Sequence, residues 1–285
     1  MSPAKLPPDL HDVVRRAVAE DLGPGDVTAD LVPADTVADA AVVTREDAVL
    51  CGCAWFDEVF AQLDPAVSIH WQVADGDFVV AGSELCRLSG PARPLLSGER
   101  TALNFLQTLS GTATLARRFA EAVAGTHCRV LDTRKTLPGL RSAQKYAVAC
   151  GGASNHRHGL YDAVLIKENH IIAAGGLRQA LRAARAAHAG LSVEIEVESL
   201  AELEQALDGS PDIVLLDNFD LESLRAAVRS VRSRPECPTR LEASGNVSLD
   251  TVGAIAATGV DFVSTGELTK NVRAIDLSMR FSLHL

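Results

Sequence analysis

The sequence predicts an α/β protein in which a small, largely antiparallel unit precedes an incomplete β/α barrel. Two patterns carry this prediction. The first hundred residues contain short strand-like runs separated by turn residues, whereas six apolar runs after residue 127 alternate with amphipathic helices. A hydrophobic content of 47% in 285 residues is enough for a sizeable core in each part.

The N-terminal part begins with a predicted helix. Apolar residues recur at helical spacing over residues 7–22, and Gly23, Pro24 and Gly25 end the helix. Five strand-like runs follow, DAAVVTRE, AVLCGCAWF, SIHWQV, DFVVAG and ELCRLSG. Because Asp75-Gly76 is a strong turn signal, we expect a hairpin between two of these runs. The pattern indicates a small antiparallel α/β unit.

A different pattern of predicted elements begins near Leu95. A helix is expected over residues 97–123, and six strand runs follow: CRVLDT (128–133), AVLIKE (163–168), VEIEVE (193–198), IVLLDN (213–218), RLEASG (240–245) and FVSTG (262–266). Helices are expected between several of these runs, at 177–188, 199–207, 221–231 and 249–257. The runs are too apolar for a sheet with one solvent-exposed face, so they predict a parallel sheet that is covered by helices on both faces.

The polar residues at the strand ends favour a barrel over an open sheet. Each of the six runs ends in a charged or hydrogen-bonding residue. An open doubly wound sheet needs such groups mainly at one switch point, whereas a barrel brings all its strand ends to one rim. The segment of about residues 110–270 is short for eight units, so we expect an incomplete or reduced barrel.

Composition excludes several classes of protein. A formal charge of −10 disfavours nucleic acid as a partner. No apolar run approaches the roughly 20 residues of a membrane span, and the start MSPAKLPPDLHD lacks the pattern of a secretory signal, so we expect a cytoplasmic protein without a membrane partner.

The six cysteines lack CxxC spacing, so we expect reduced, mostly buried thiols. Cys51-Gly-Cys53 is a weak metal signal without nearby histidines, so we favour two structural thiols there.

Positive charge is concentrated in one part of this acidic chain. Residues 129–170 contain seven Lys and Arg residues against three Asp and Glu residues. Arg134, Lys135, Arg157 and Lys167 follow two adjacent strand runs, where guanidinium and ammonium groups together suit a substrate with several anionic groups. The alternative is a set of surface salt bridges. His156 is either a general acid or a donor to a carboxylate, and we favour the donor.

Two carboxylates, Glu196 and Asp217, also end strand runs. They are either ion-paired with Lys135 or Lys167, or they bind a ribose hydroxyl pair or a divalent cation, or they stabilise positive charge on a sugar ring. Because no finger-like metal signature is present, we expect any cation to arrive with a phosphate ligand.

Small residues end the last two strand runs, in ASGN (243–246) and STGE (264–267). Glycine and small side chains before a helix let backbone N–H groups approach a phosphate, and barrels often bind phosphate after their last strands. Ser244 is alternatively a helix cap.

These residues belong to a longer series of motifs. The chain resembles the quinolinate phosphoribosyltransferase family through AEDLGPGDVT (19–28), ERTALNFLQTLSGTAT (99–114), DTRKTLPGLRSAQKYAV (132–148), GGASNHRHGLYDAVLIKENH (151–170), EIEVES (194–199), VLLDNF (214–219), LEASGNV (241–247) and STGELT (264–269). The motifs occur in order and span nearly the whole chain.

The resemblance implies a fold and an assembly. It implies an N-terminal α/β sandwich domain over residues 1–109, which also takes in the tail 271–285, and an open, incomplete β/α barrel over residues 110–270. It also implies a homodimer, or a higher oligomer built from it, in which the N-terminal domain of one subunit covers the barrel mouth of the other. Arg100 would then reach the partner's active site and bind a quinolinate carboxylate.

The resemblance also assigns roles to the barrel residues. Arg134, His156 and Arg157 would hold the two carboxylates beside Thr133, and Lys135 and Lys167 would contact substrate and diphosphate. Glu196 and Asp217 would bind the ribose hydroxyls and Mg²⁺. The 5′-phosphate would be bound by Ala243, Ser244, Gly245, Ser264, Thr265 and Gly266. We expect Lys135, Lys167, Glu196 and Asp217 to be the catalytic residues. The roles of Arg141, Lys145 and Lys270 stay open.

The implied reaction transfers phosphoribosyl from phosphoribosyl diphosphate to the ring nitrogen of quinolinate, releasing diphosphate and CO₂ and forming nicotinate mononucleotide for NAD biosynthesis. One alternative is a related enzyme acting on another pyridine or a pyrimidine. A second is a biotinyl or lipoyl carrier module, but the turn Asp75-Gly76-Asp77 lacks the lysine that is modified there. A third is an aldolase or lyase barrel, which would need Schiff-base chemistry at Lys135 or Lys167.

Overall fold

The computed structural model describes residues 5–235 and 237–284, which form two compact units. Unit 1 comprises the described parts of Met1–Arg117, Thr136–Gly152 and Asn271–Leu285, and unit 2 those of Arg118–Lys135 and Ala153–Lys270. The extreme ends of the predicted N-terminal domain and tail, residues 1–4 and Leu285, lie outside the described residues.

Unit 1 is built around antiparallel sheets. Its elements, numbered along the chain, are α1 (Leu10–Leu22), a short 3₁₀ helix (Ala29–Leu31), β1 (Val37–Thr44), β2 (Ala48–Val49), α2 (Cys53–Leu63), β3 (Ser68–Trp71), β4 (Phe78–Val79), β5 (Glu84–Pro91), the start of α3 (Ala92–Ala122), α4 (Arg141–Cys150) and β12 (Leu277–His284). The strand order is β12-β1-β5-β3, and β2 pairs with β4. The tail strand β12 pairs antiparallel with β1, placing Met279 opposite Val42.

One predicted strand run contains more helix than strand. Only Ala48 and Val49 of AVLCGCAWF are in a strand, and the last four residues begin α2. The prediction was wrong there because Trp55, Phe56, Val59 and Phe60 recur at helical spacing and are all buried on one face of α2. The start of α2 is held by Asp75, whose Oδ1 accepts the backbone N–H groups of Gly52 and Cys53 at 2.9 and 3.1 Å.

The predicted hairpin at Asp75-Gly76 does not form. Gly76 has the left-handed φ of +94° that suits a turn, but the flanking strands β3 and β4 pair with β5 and β2. The chain therefore passes from one sheet to another at this turn, and the Asp75 carboxylate is used to cap α2.

The segment Thr136–Gly152 belongs to unit 1, whereas the sequence placed it in the barrel domain. The reason lies in α4, whose Ala143 and Ala147 are buried in the same hydrophobic cluster as Trp55 and Phe56. At the end of this segment, the Arg117 Nε donates to the Gly151 carbonyl at 3.0 Å.

Unit 2 contains the six predicted strands as one parallel sheet. They are β6 (Arg129–Leu131), β7 (Val164–Ile166), β8 (Val193–Val197), β9 (Ile213–Asp217), β10 (Arg240–Ser244) and β11 (Phe262–Ser264), in the order β6-β11-β10-β9-β8-β7. The helices are α5 (Glu168–Ala173), α6 (Leu177–Ala187), α7 (Leu200–Leu207), α8 (Leu221–Arg232), α9 (Leu249–Ala256) and α10 (Glu267–Lys270). The four helices expected between strands are confirmed within one or two residues.

The sheet of unit 2 is an open barrel, as predicted. The consecutive strands β6 and β7 lie at opposite ends of the sheet. Beyond β6 a single parallel bridge joins Leu131 to Ser154, which leads into the segment carrying His156. Since α4 belongs to unit 1, unit 2 has no helix between β6 and β7 among its described residues. Among all the described residues, no helix is both long and apolar enough to cross a membrane.

Candidate active site

A cavity of about 370 Å³ opens at the carboxyl ends of the strands of unit 2. This is the end of a β/α barrel at which catalytic groups converge. Its lining residues are Thr133, Arg134, Lys135, His156, Arg157, Leu165, Lys167, Glu196, Leu215, Asp217, Glu242, Ser244 and Ser264. Charged side chains from six segments of the chain therefore face one space.

Two other cavities differ in chemistry. A cavity of about 450 Å³ in unit 1 is lined by α1 and α3 residues and contains Arg16 as its one basic residue, beside Glu20 and Asp21. A groove of about 660 Å³ in unit 2 is largely apolar, with alanines of α6 along one side. Neither brings several cations and carboxylates together, so the 370 Å³ cavity is the candidate active site.

The lining follows the two-residue period of the strands. Leu165 and Lys167 come from the β7 segment, Leu215 and Asp217 from β9, and Glu242 and Ser244 from β10. Side chains two residues apart lie on the same face of a strand, so each strand contributes a deeper residue and one at the rim. The strand register places Ser244 beside Asp217 and Glu242 beside Leu215.

Lys167 and Glu196 form an ion pair at the rim. This is the salt bridge that the sequence analysis offered as an alternative to a substrate role. Lys167 is about half exposed, and both residues line the cavity, so the pair remains open to a ligand.

Asp217 lies beside this pair. Burial, followed by the negative charge of Glu196, raises the pKa of its carboxyl above the ordinary value. One of its oxygens accepts a hydrogen bond from the Asn218 side chain at 2.8 Å. Two carboxylates whose charges repel each other favour a cation or a hydroxyl pair between them.

The two arginines of the predicted cationic group lie close enough to affect each other. Burial, and then the positive charge of Arg134, lowers the pKa of Arg157. The Arg157 Nη1 donates to the Ala163 carbonyl at 3.2 Å, which fixes its side chain beside the residue that precedes β7. Like charges held together in a cavity favour an anionic ligand, because such a ligand relieves their repulsion.

His156 lies between two buried carboxylates. Its Nε2 is 2.9 Å from the Glu194 carboxylate and 3.5 Å from that of Glu242. Burial by itself lowers the pKa of His156, but the contacts with both glutamates outweigh it and raise the pKa to about 10. Burial, with the charge of Glu242, raises the pKa of Glu194 to about 6. His156 is therefore an imidazolium at neutral pH.

The loop carrying Lys135 is braced from two sides. The Lys135 N–H donates to the Thr133 hydroxyl at 3.1 Å, and its carbonyl accepts from the Thr269 hydroxyl at 2.8 Å. A Cβ added at Gly266 would lie 2.9 Å from the Lys135 side chain and 3.6 Å from that of Lys270. Gly266 therefore leaves room for two lysine stems, which places Lys270 beside Lys135.

The residues predicted to bind phosphate have different surroundings. Gly245 has a left-handed φ of +99°, and a Cβ there would lie 2.1 Å from the Asn218 Oδ1. Ser244 and Ser264 line the cavity, whereas Ala243 is buried in β10. The Thr265 hydroxyl donates to the Val247 carbonyl at 3.1 Å and its N–H donates to the Leu131 carbonyl, so Thr265 joins the two loops together.

Most of the predicted site residues converge in unit 2, and Arg100 is the exception. Arg100 is exposed on α3 of unit 1. Arg141, whose Nε donates to the Thr136 hydroxyl at 3.2 Å, and Lys145, which is buried, both lie on α4. Sequence reasoning missed Glu194 and did not assign Glu242 to the site. The sequence contains a signal for both, because each lies two positions before a predicted rim residue and side chains two residues apart lie on the same face of a strand.

Comparison with known proteins agrees with this architecture. Two family models match the chain, the N-terminal domain of quinolinate phosphoribosyl transferase at residues 26–110 and its C-terminal domain at residues 112–280. A nicotinate-nucleotide pyrophosphorylase [carboxylating] from Mycobacterium leprae is 43% identical over 276 residues, covering 94% of this chain and 96% of the relative. A probable enzyme of the same name from Bacillus subtilis is 37% identical over 275 residues, covering 96% and 94%.

A solved structure is similar over the full length. The nicotinate-nucleotide pyrophosphorylase from Francisella tularensis superposes with a TM-score of 0.94 at 45% identity, covering 99% of each chain. Family models, relatives and structure agree over both units. This chain belongs to the quinolinate phosphoribosyltransferase family.

Proposed function

We propose that this chain transfers the phosphoribosyl group of phosphoribosyl diphosphate to the ring nitrogen of quinolinate, with loss of CO₂, to form nicotinate mononucleotide for NAD biosynthesis. The observation that carries the proposal is the joint presence of Arg134, Lys135, Arg157 and Lys167 with Glu196 and Asp217 in one cavity. Relatives named quinolinate phosphoribosyltransferase [decarboxylating] support it.

The dicarboxylate is bound by the cations on one side of the cavity. Arg134 and Arg157 supply guanidinium groups that bind carboxylates through two parallel hydrogen bonds, and His156 adds a third positive charge. A ring with two adjacent carboxylates neutralises more of this charge than a ring with one. The arrangement therefore favours quinolinate over nicotinate.

The sugar and the leaving group are bound on the other side. Lys135 and Lys167 stabilise the negative charge that develops as diphosphate leaves, and Glu196 and Asp217 stabilise the positive charge that develops on the ribose ring. Ser244 and Ser264, which line the cavity, would hold the 5′-phosphate together with backbone N–H groups at Gly245 and Gly266.

Magnesium fits this side of the cavity. Glu196 and Asp217 offer the carboxylate oxygens that Mg²⁺ prefers, and the pKa of Asp217 is raised partly by the charge of Glu196, which a cation would offset. When bound with the diphosphate, the ion would neutralise the leaving group.

Decarboxylation needs little further chemistry from the protein. Once the ring nitrogen carries the ribose, it is positively charged and stabilises the electron pair left on the adjacent carbon when CO₂ departs. A proton then replaces the carboxylate. The roles of the cavity residues are to position the ring and to keep the leaving carboxylate away from bulk water.

The enzyme would act as a homodimer with shared sites. Arg100 is exposed on α3 and is not among the residues that line the cavity of unit 2. These two observations are what we expect of a residue that completes the active site of a partner subunit. The free cysteines are consistent with a reducing compartment, and we place the reaction in the cytoplasm.

The direct test is an assay of the purified protein with phosphoribosyl diphosphate and Mg²⁺. Quinolinate-dependent formation of nicotinate mononucleotide with an equal amount of CO₂ is expected. Consumption of nicotinate without CO₂ release would instead identify a related enzyme for another pyridine. A reductively trapped adduct at Lys135 or Lys167 would indicate a lyase.

Mixing variants tests the shared site. An Arg100→Ala subunit mixed with a Lys135→Ala subunit should recover about a quarter of wild-type activity, because half of the dimers are mixed and each has one intact site. The matched control mixes Lys135→Ala with Lys167→Ala, which both damage unit 2, and should recover nothing. Equal recovery in both mixtures, or in neither, would contradict sharing through Arg100.

A further inference from the structure

Beneath the cavity, two buried glutamates surround one histidine. Glu194 of β8 is 3% exposed and Glu242 of β10 is fully buried, whereas the His156 side chain is 12% exposed and lines the cavity. Since β9 lies between β8 and β10, the two carboxylates approach the ring from strands that do not pair with each other. The ring therefore lies in the cavity wall between two buried carboxylates, of which that of Glu242 also lines the cavity.

The carboxylates have few other partners. One oxygen of Glu194 and both oxygens of Glu242 have no hydrogen-bond partner among the described residues. A buried carboxylate without compensation is strongly unfavourable, so positive charge on the imidazole stabilises the whole group. The arrangement therefore favours the protonated ring over neutral imidazole.

The protonation state of His156 decides the charge of this part of the cavity wall. A neutral imidazole between the two glutamates would leave the group with net negative charge, whereas the imidazolium places a positive charge at the cavity surface. Net negative charge in this wall would repel a substrate carboxylate, and the positive ring would attract it. Only the imidazolium suits a cavity that binds a dicarboxylate.

On the basis of the proposed function, we propose that Glu194 and Glu242 are positioning residues that hold His156 as a cation in the cavity wall, and that this cation contributes to selection of a pyridine dicarboxylate. The effect of the two glutamates passes through the orientation and charge of one ring.

The other charged groups around His156 are consistent with this role. Its backbone N–H donates to the Asp132 carboxylate at 2.9 Å, which holds the segment beside β6. Arg157, the next residue, exerts an attractive charge on Glu194, and Arg134 lies near Arg157. Burial opposes protonation of the ring, whereas the contacts with Glu194 and Glu242 favour it, and these contacts outweigh burial.

The test uses the full-length protein with Glu194→Gln and Glu242→Gln, which keep side-chain size and remove one charge each. Histidine-selective NMR titration, with the His156 signal assigned through His156→Asn, should show a ring that stays protonated through about pH 9 in the wild type. In each variant the titration should move toward the ordinary value of about 6.5.

The kinetic readout is the KM for quinolinate at about pH 6 and about pH 8. The ratio of the two values in Glu242→Gln should exceed the wild-type ratio by about 10-fold, because a hydrogen bond from a charged donor is lost only at the higher pH. The value of kcat at saturating quinolinate should change little. A purely structural defect would not be relieved by lowering the pH.

Glu222→Gln, at the exposed start of α8, is the matched control and should behave as wild type.

Several outcomes decide the proposal. If both glutamine variants unfold, Glu242→Asp must restore folding and the wild-type ratio of the two KM values for the proposal to stand. An unchanged His156 titration in the variants overturns the proposal. So does a stoichiometric divalent metal in the purified protein that Glu242→Gln loses, because the three residues would then be metal ligands. Absence of turnover in the wild type would refute the proposed function, while the NMR titration would still decide the state of His156.

Discussion

The buried titratable side chains of the two units differ in kind. Unit 1 contains three thiols whose pKa burial raises well above the ordinary value, the buried Cys51 and Cys86 and the partly buried Cys53, whereas unit 2 contains one buried thiol of raised pKa, Cys128. Unit 2 buries Glu194 and Glu242 around His156, whose pKa is raised to about 10. Thiols of raised pKa stay neutral, whereas the group around His156 carries charge.

The difference separates stability from chemistry. Neutral thiols pack as small apolar groups beside Trp55 and Phe56 and need no counter-charge. Buried charge is stabilising only with a partner, and proteins tolerate it mainly where a ligand or reaction needs it. Lys145 of α4 is an exception in unit 1, since it is buried as well. We therefore expect substitutions in the hydrophobic core of unit 1 to change stability, and those in the unit 2 cavity or at the exposed Arg100 to change activity.

The largest effect is expected at Lys135. Lys135→Met keeps the aliphatic stem beside Gly266 and removes the charge, so kcat should fall about 10²–10³-fold because the leaving group loses one stabilising cation. The melting temperature should change little. Steady-state kinetics with calorimetry on the same preparation check both, and a large loss of stability with kcat retained would break the contrast between the units.

The next effect is expected in the core of unit 1. Phe56→Ala should lower the free energy of unfolding by about 3–5 kcal/mol, because the side chain is fully buried against Phe60 and Trp71. Urea denaturation measures the change. The kcat of the folded variant should stay near the wild-type value, and a loss of activity comparable to that of Lys135→Met would contradict the division of roles.

Thiol reactivity sharpens the comparison without a substitution. At about pH 8, alkylation of Cys51, Cys53 and Cys86 should be on the order of 100-fold slower than that of the partly exposed Cys237, because thiolate is the reactive form. Mass spectrometry of peptides after timed iodoacetamide treatment gives each rate. Equal rates at all four positions would mean that the core of unit 1 opens readily.

The smallest effect is expected at Gly245, in the predicted phosphate-binding loop of unit 2. Gly245→Ala should cost about 1–3 kcal/mol of stability, because φ is +99° and the new Cβ would meet Asn218. It should also raise the KM for phosphoribosyl diphosphate. Gly125→Ala is the matched control, since Gly125 has φ +85° but no atom within 4 Å of an added Cβ. Equal losses in the two variants would leave no role for the contact with Asn218.

His156 also makes stability depend on pH. Its pKa is raised to about 10 from an ordinary value near 6.5, so its stabilising contribution is complete below about pH 6.5 and is lost as the pH rises through about 10. In the folded protein the His156 ring loses its proton only as the pH approaches about 10, so its positive charge is constant near neutral pH, whereas its contribution to stability already declines above about pH 6.5. Substitution of Glu194 or Glu242 should lower this pKa and so bring the loss of charge closer to neutral pH.

Local pattern predicted most elements of unit 2 and fewer of unit 1. The runs of β8 and β9 are buried on both faces, and their sequences predict strands without ambiguity. In unit 1 the short run AVLCGCAWF suited either a strand or a helix, and only packing of Trp55 and Phe60 decided for α2. Short apolar runs are ambiguous because both structures can bury them.

By itself, the sequence determined the six parallel strands, the order of the family motifs and the cationic group Arg134, Lys135, Arg157 and Lys167. These depend on period, spacing and residue type, which are local properties of a chain. Only the tertiary structure decided that α4 packs with unit 1 and that Glu194 and Glu242 enclose His156. Those contacts join residues far apart in the chain, and they depend on strand order and on burial that no short segment specifies.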